Sequence, residues 1–143
     1  MLKIIFTTLP LLLLTACMSP NEAVGIVPGR LQILYKGITH HVGWDAAAFT
    51  LYNDSTSSIS YFAYSPTSIL YGTEALTDTG WTRLMYGWCG TGASYYELAP
   101  HESIDFETTL PQESCTWRVF FQVSENATTP LYTLRSNLIE YYK

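Results

Sequence analysis

The chain has 143 residues, 7 Lys+Arg against 12 Asp+Glu, a hydrophobic fraction of 48% and a charged fraction of 13%. That is one domain's length, and too apolar and too sparsely charged for a disordered acidic tail. The net charge of −5 withholds the basic footprint that a nucleic-acid partner requires.

The first element is a targeting segment. Ile4 to Leu14 is mostly apolar, follows Lys3 and is broken by Thr7, Thr8 and Pro10. A spanning helix needs roughly 20 apolar residues, so this shorter run has the length and flanks of a signal-peptide core. It ends in Leu14-Thr15-Ala16-Cys17, which resembles the lipobox of bacterial lipoproteins. The resemblance implies cleavage after Ala16, a diacylglyceryl group on the Cys17 thiol and acylation of the new amino group. Several acyl chains, at about 0.8 kcal/mol per buried CH₂, anchor a protein far more firmly than one. The implied location is the bacterial cell envelope, with the membrane reached through the lipid. Met18 stands where an Asp favours inner-membrane retention, so the outer membrane is expected if the cell has two. Residues 1–16 are read as signal peptide, 17–29 as a lipidated tether rich in Pro, Gly, Asn and Ser, and 30–143 as the folded domain.

Of the 3 cysteines, assigning Cys17 to lipid leaves Cys89 and Cys115. Export places them where disulfides form, and a Cys89–Cys115 bridge is expected. Its loop of about 25 residues is worth roughly 3 kcal/mol in the chain-entropy estimate.

After the tether the chain reads as short strands. Leu31 to Tyr35 alternates, with Leu31, Ile33 and Tyr35 on one face. Phe49 to Tyr52 alternates and stops at Asn53-Asp54-Ser55. Ser58 to Tyr64 follows and ends at Ser65-Pro66, and Trp81 to Trp88 is a long run. Tyr95 to Leu98 is short, Ile104 to Thr108 alternates, and Trp117, Val119, Phe121 and Val123 share a face. That register places Cys115 beside Trp117 on the buried side. Leu131 to Tyr142 reads equally as strand or short amphipathic helix. The expected fold is all-β, a single antiparallel Ig-like β-sandwich of seven to eight strands.

Leu51-x-Asn53-x-Ser55, Trp81, Gly87-Trp88-Cys89-Gly90-Thr91-Gly92 and Leu98-x-Pro100-x-Glu102-Ser103 resemble landmarks of small Ig-like or fibronectin-III-like domains of exported bacterial proteins. The usual turn there reads Leu-x-Pro-Gly-Glu-Ser. His101 stands in place of the Gly, at a position where a positive φ suits Gly better.

The chemistry-bearing residues form no recognisable catalytic set. The glycine-rich 87–92 segment lacks the Lys and following helix of a phosphate loop. His40, His41, His101 and Asp45 are the metal candidates, but adjacent strand residues point to opposite faces, and a metal site is not expected. No Gly-x-Ser-x-Gly elbow is present, and Asp105 and Glu107 alternate outward as a solvated face. The surplus of aromatics, Trp44, Trp81, Trp88, Tyr95, Tyr96 and Phe120, points instead to a contact surface. Trp88, Tyr95 and Tyr96, on the Gly87–Tyr96 loop, are the candidate binding residues. The expected function is a non-catalytic module that binds a protein or glycan, without cofactor. The alternatives are an inhibitor of an envelope or host enzyme, such as a lysozyme or protease, and an unrecognised hydrolase.

Overall fold

The structure is a computed structural model that describes residues 30–84, 91–125 and 131–143. Its strands are β1 (Leu31–His41), β2 (Trp44–Asn53), β3 (Ile59–Ser65), β4 (Ser68–Ile69), β5 (Gly72–Thr77), β6 (Gly80–Leu84), β7 (Ser94–Leu98), β8 (Ser103–Thr109), β9 (Cys115–Ser124), β10 (Tyr132–Arg135) and β11 (Ile139–Tyr141). β1, β2 and β8 form one antiparallel sheet in that order, and the other eight strands form the second.

Apart from the two-residue β4, those segments occupy only four positions. Phe120 of β9 pairs with Gly72 of β5 and with Arg135 of β10, and Trp117 pairs with Ala75 of β5 and Ile139 of β11. Val123 pairs with Tyr61 of β3 and Tyr132 of β10. A strand has two edges, so β3 and β5 share one edge of β9 while β10 and β11 share the other. β7 lies beyond β3 and β6 beyond β5, and β4 folds back on β3 as a short hairpin. The second sheet is therefore β6/β7, β5/β3, β9, β11/β10, and β9 alone runs unbroken. Three positions facing four make an antiparallel β-sandwich, as the alternating runs predict, though built from eleven strand segments rather than seven to eight.

The breaks are mended locally, because buried main-chain groups need partners. Between β10 and β11, Ser136 donates its N–H to the Val119 carbonyl at 2.8 Å, and its hydroxyl oxygen accepts the Val119 N–H at 3.0 Å. In β1 a bulge falls between Tyr35 and Gly37, where Gly37 has φ 114°.

The core lies between the sheets. Ile33, Ala47, Phe49, Leu51 and Phe106 face Tyr61, Trp117, Val119, Phe121 and Val123, all buried. Phe49 meets Trp117 edge-on at 6.0 Å and Phe106 meets Phe121 edge-on at 5.9 Å. The alternation of β9 is as the sequence reads.

β2 and β5 differ from that reading, and the C-terminal run settles what it left open. β2 begins at Trp44, because Ala46 and Ala47 are both fully buried despite their weak strand preference. β5 lies in a stretch, Gly-Thr-Glu-Ala-Leu-Thr, with little strand character of its own; pairing with β6 and β9 decides it. The C-terminal run is two short strands rather than a helix.

Candidate functional site

Of the residues singled out in the sequence, Cys17, Trp88 and Cys89 lie outside the described residues. Cys115 is half-buried and makes no disulfide with a described residue. It lines a cavity of about 480 Å³ with Leu76, Leu84, Leu110 and Pro111, at one end of the sandwich. Burial, and then the charges of Glu140 and Glu113, push its thiol above the ordinary range, which disfavours the nucleophilic thiolate.

Tyr95 and Tyr96 are neighbours on β7 and face opposite ways. Tyr96 turns inward, 6.1 Å from the buried Tyr61 ring, and its hydroxyl donates to the Tyr64 carbonyl at 3.3 Å. Tyr95 is 57% exposed and packs across the strand pair on Phe62 at 5.1 Å. Of the two, Tyr95 is the one offered to solvent.

The histidines are dispersed, each beside its own carboxylate. His40 Nδ1 lies 2.8 Å from Asp45, His41 Nε2 lies 2.9 Å from Glu107, and His101 Nδ1 lies 3.2 Å from Asp54. His41 also stacks on Trp44 with ring centroids 4.2 Å apart. Among the described residues no three His, Cys, Asp or Glu side chains converge on one point.

The motifs Leu51-x-Asn53-x-Ser55 and Leu98-x-Pro100-x-Glu102 meet in space. The fully buried Asn53 donates its amide to the carbonyls of Ser57, Leu98 and Ala99 at 2.9–3.1 Å and accepts from the Ser55 hydroxyl at 2.6 Å. Its main chain accepts the His101 N–H at 2.6 Å and donates to the Glu102 carbonyl at 3.0 Å. His101 has φ 62°, the positive value that suits Gly at that turn. These residues are a structural knot between two loops.

The arrangement with exposed chemistry is the outer face of the four-position sheet. In β9 the alternation that buries Trp117 and Val119 turns Arg118, Phe120 and Gln122 outward. The register brings Glu74 and Gly72 of β5, then Arg83 and Trp81 of β6, onto the same face. Arg135 of β10 joins from the other side. Glu74 is buried, and one of its oxygens accepts from Arg118 Nε at 2.5 Å and Arg135 Nε at 3.2 Å. Burial opposes its ionisation, but the hydrogen bonds and charges of Arg118 and Arg135 outweigh that and hold its carboxyl below the usual range.

Two cation–π contacts finish this surface. The Arg118 guanidinium lies 3.8 Å from the Trp81 ring centre, and that of Arg83 lies 5.1 Å from the Phe120 ring centre. Phe120 lies flat across Gly72, where a Cβ would fall against the ring. Trp81 and Phe120 figure among the surplus aromatics of the sequence. Glu74 and Arg135 do not, because β5 and β10 are not distinct strands in the pattern; Arg118 is signalled only by the alternation of β9.

Comparison with known proteins finds no family model, no curated protein and no solved structure that matches this chain.

Proposed function

We propose that this chain is a non-catalytic binding module, lipid-anchored to the bacterial cell envelope through Cys17, that docks an envelope protein or glycan. The observation that carries the binding reading is the outer face of the four-position sheet. A buried carboxylate, Glu74, fixes two guanidinia beside a partly exposed indole. Aromatic and Arg side chains supply contact area with little entropy to lose. Tyr95 and Phe62 extend the same face, and Trp88, which lies outside the described residues, is proposed as a further binding residue from the sequence alone.

The lipid anchor rests on the lipobox. A fatty-acid label should mark the wild type and leave Cys17→Ser unmarked; equal labelling contradicts the anchor. A Cys89–Cys115 bridge is proposed with it. Leu84 and Cys115 line one cavity, and the five residues from Leu84 to Cys89 reach up to about 17 Å. Non-reducing peptide mapping should show the linked pair, and two freely alkylated thiols would contradict it.

The binding reading is tested by passing envelope extract over the immobilised mature chain and over a Trp81→Ala/Arg135→Ala variant. A saturable component should be held by the first and lost by the second. Equal retention on both, or none on either, contradicts the reading.

A further inference from the structure

The charge of the four-position sheet narrows the class of ligand. The chain carries a net charge of −5 and only four arginines, Arg30, Arg83, Arg118 and Arg135. Three of those four, all but Arg30, stand on this one face within neighbouring strands. Glu74 balances one of the three charges, and Glu140, bonded to Thr116, and Glu97 of β7 stand on the same face at its flanks, so the free cationic groups are local to the three arginines. Glu74 takes the Nε–H of both Arg118 and Arg135 on a single oxygen. A guanidinium has five N–H donors, and among the described residues the Nη groups of these arginines meet no acceptor. Glu74 thus fixes the two side chains by their inner nitrogens and leaves the outer forks unused.

The opposite outer face, on β1, β2 and β8, is different in kind. Asp45, Asp105 and Glu107 stand there or at its rim, and their contacts are with Thr50, His40 and His41. Lys36 is beside Asp105 and Glu107 there, but carboxylates outnumber cations on that face, and the arginine face is the more favourable of the two for an anionic ligand.

The shape of the arginine face bears on what kind of anion. β9 and β5 are paired on both edges, so their main chain offers no free ladder to an incoming peptide strand. Recognition over this area falls to side chains. Those are flat plates, Trp81 and Phe120, two partly exposed guanidinia, and a polar pair in which Gln122 donates to Thr133 at 2.8 Å. Planar guanidinia take carboxylates in a bidentate fork. An indole takes the apolar face of a ring. A saccharide that carries a carboxylate presents both groups on one unit.

Resting on the binding reading above, we propose that Trp81, Arg83, Arg118 and Arg135, with Glu74 as their positioning residue, form a site for a carboxylated glycan. The carboxylate bridges the Nη groups of Arg118 and Arg135, and the ring packs over the Arg118–Trp81 stack, against the exposed part of the indole that the guanidinium leaves uncovered.

The test is calorimetric titration of the mature chain with three defined probes: an oligogalacturonate, the matching neutral galactan oligomer and hexaglutamate. The oligogalacturonate should bind at least about tenfold tighter than either of the others, and more weakly in high salt. Trp81→Ala and Arg135→Ala should each weaken it by about tenfold. Trp81 is partly exposed, so the melting temperature of Trp81→Ala should stay near that of the wild type, and that of Arg135→Ala should fall only slightly, because Arg118 still pairs with Glu74. Equal binding of hexaglutamate overturns the glycan in favour of an acidic polypeptide. Equal binding of the neutral oligomer removes the arginines as readers, and unchanged affinity in both variants moves the site elsewhere. If no probe binds while wild-type chain still captures an envelope component that the Trp81→Ala/Arg135→Ala variant loses, the glycan class is wrong and the binding reading stands.

Discussion

Two buried polar side chains organise this sandwich, and they do opposite things. Asn53 spends its amide on three main-chain carbonyls and its oxygen on Ser55. Its partners lie in the two loops that it ties together or, for Leu98, at the end of β7 where one of them begins. Glu74 spends its carboxylate on Arg118 and Arg135, whose side chains are 21% and 44% exposed. One network closes on the fold, and the other ends at solvent with donors to spare. Burial of a polar group alone does not mark a functional site; the place where its hydrogen bonds end does.

That contrast is open to mutation. The largest effect is expected at the closed network. Asn53→Ala leaves the carbonyls of Ser57, Leu98 and Ala99 without their donor, and should cost about 2–4 kcal/mol in urea unfolding. A loss under about 1 kcal/mol would show that the knot is not what joins the loops. Binding by the folded fraction should not change.

At Glu74 the expected cost is smaller, because solvent screens the partly exposed arginines. Glu74→Gln should lose about 1–2 kcal/mol at neutral pH. The folded-state pKa of Glu74 is depressed. Its contribution is therefore complete above the unfolded value and disappears as pH falls through the folded one. The difference between wild type and Glu74→Gln should accordingly shrink from pH 7 to pH 3. A difference that is constant with pH would contradict an ionised, paired Glu74.

The sequence carries most of the fold and little of the site. Trp117, Val119, Phe121 and Val123 are apolar at every second position, and that period alone identifies the central strand and its buried face. The seven positions follow from similar runs. The broken positions do not, because β5 contains Glu and Ala and is a strand only by virtue of β6 and β9 beside it. Losing β5 from the pattern loses Glu74, and with it the reason that Arg118 and Arg135 stand together. Tyr95 and Tyr96 show the reverse error. Sequence places both on a contact loop, whereas the strand period sends Tyr96 inward against Tyr61. Asn53, His101 and Glu102 are visible as landmarks, but their joint role requires the fold that brings residues 53 and 101 together.

Two milder substitutions sharpen the comparison at its edges. His101 holds φ 62° beside the Asn53 knot, so His101→Gly should relieve strain and raise stability by up to about 1 kcal/mol. The contact with Asp54 that it forgoes is made by a His101 side chain that is 64% exposed, and it contributes little. A clear loss of stability would mean that the His101–Asp54 contact matters more than the backbone. On the other network, Gly72→Ala should change stability by no more than about 0.5 kcal/mol, since the displaced atoms are the tip of the Phe120 ring. It should nevertheless shift the Phe120 ring-proton resonances, and unshifted resonances would show that the ring does not lie on Gly72.

The central claim is that the outer face of the four-position sheet is the contact surface. Trp44 and Trp81 make that directly measurable, because they sit on opposite outer faces and are 56% and 37% exposed. Titrating the ¹⁵N-labelled mature chain with oligogalacturonate, while following indole Nε–H and arginine Nε–H resonances, reports on both faces at once. The account predicts that Trp81, Arg83, Arg118 and Arg135 shift with saturation while Trp44 stays in place. Saturating shifts at Trp44 with an unmoved Trp81 would contradict it.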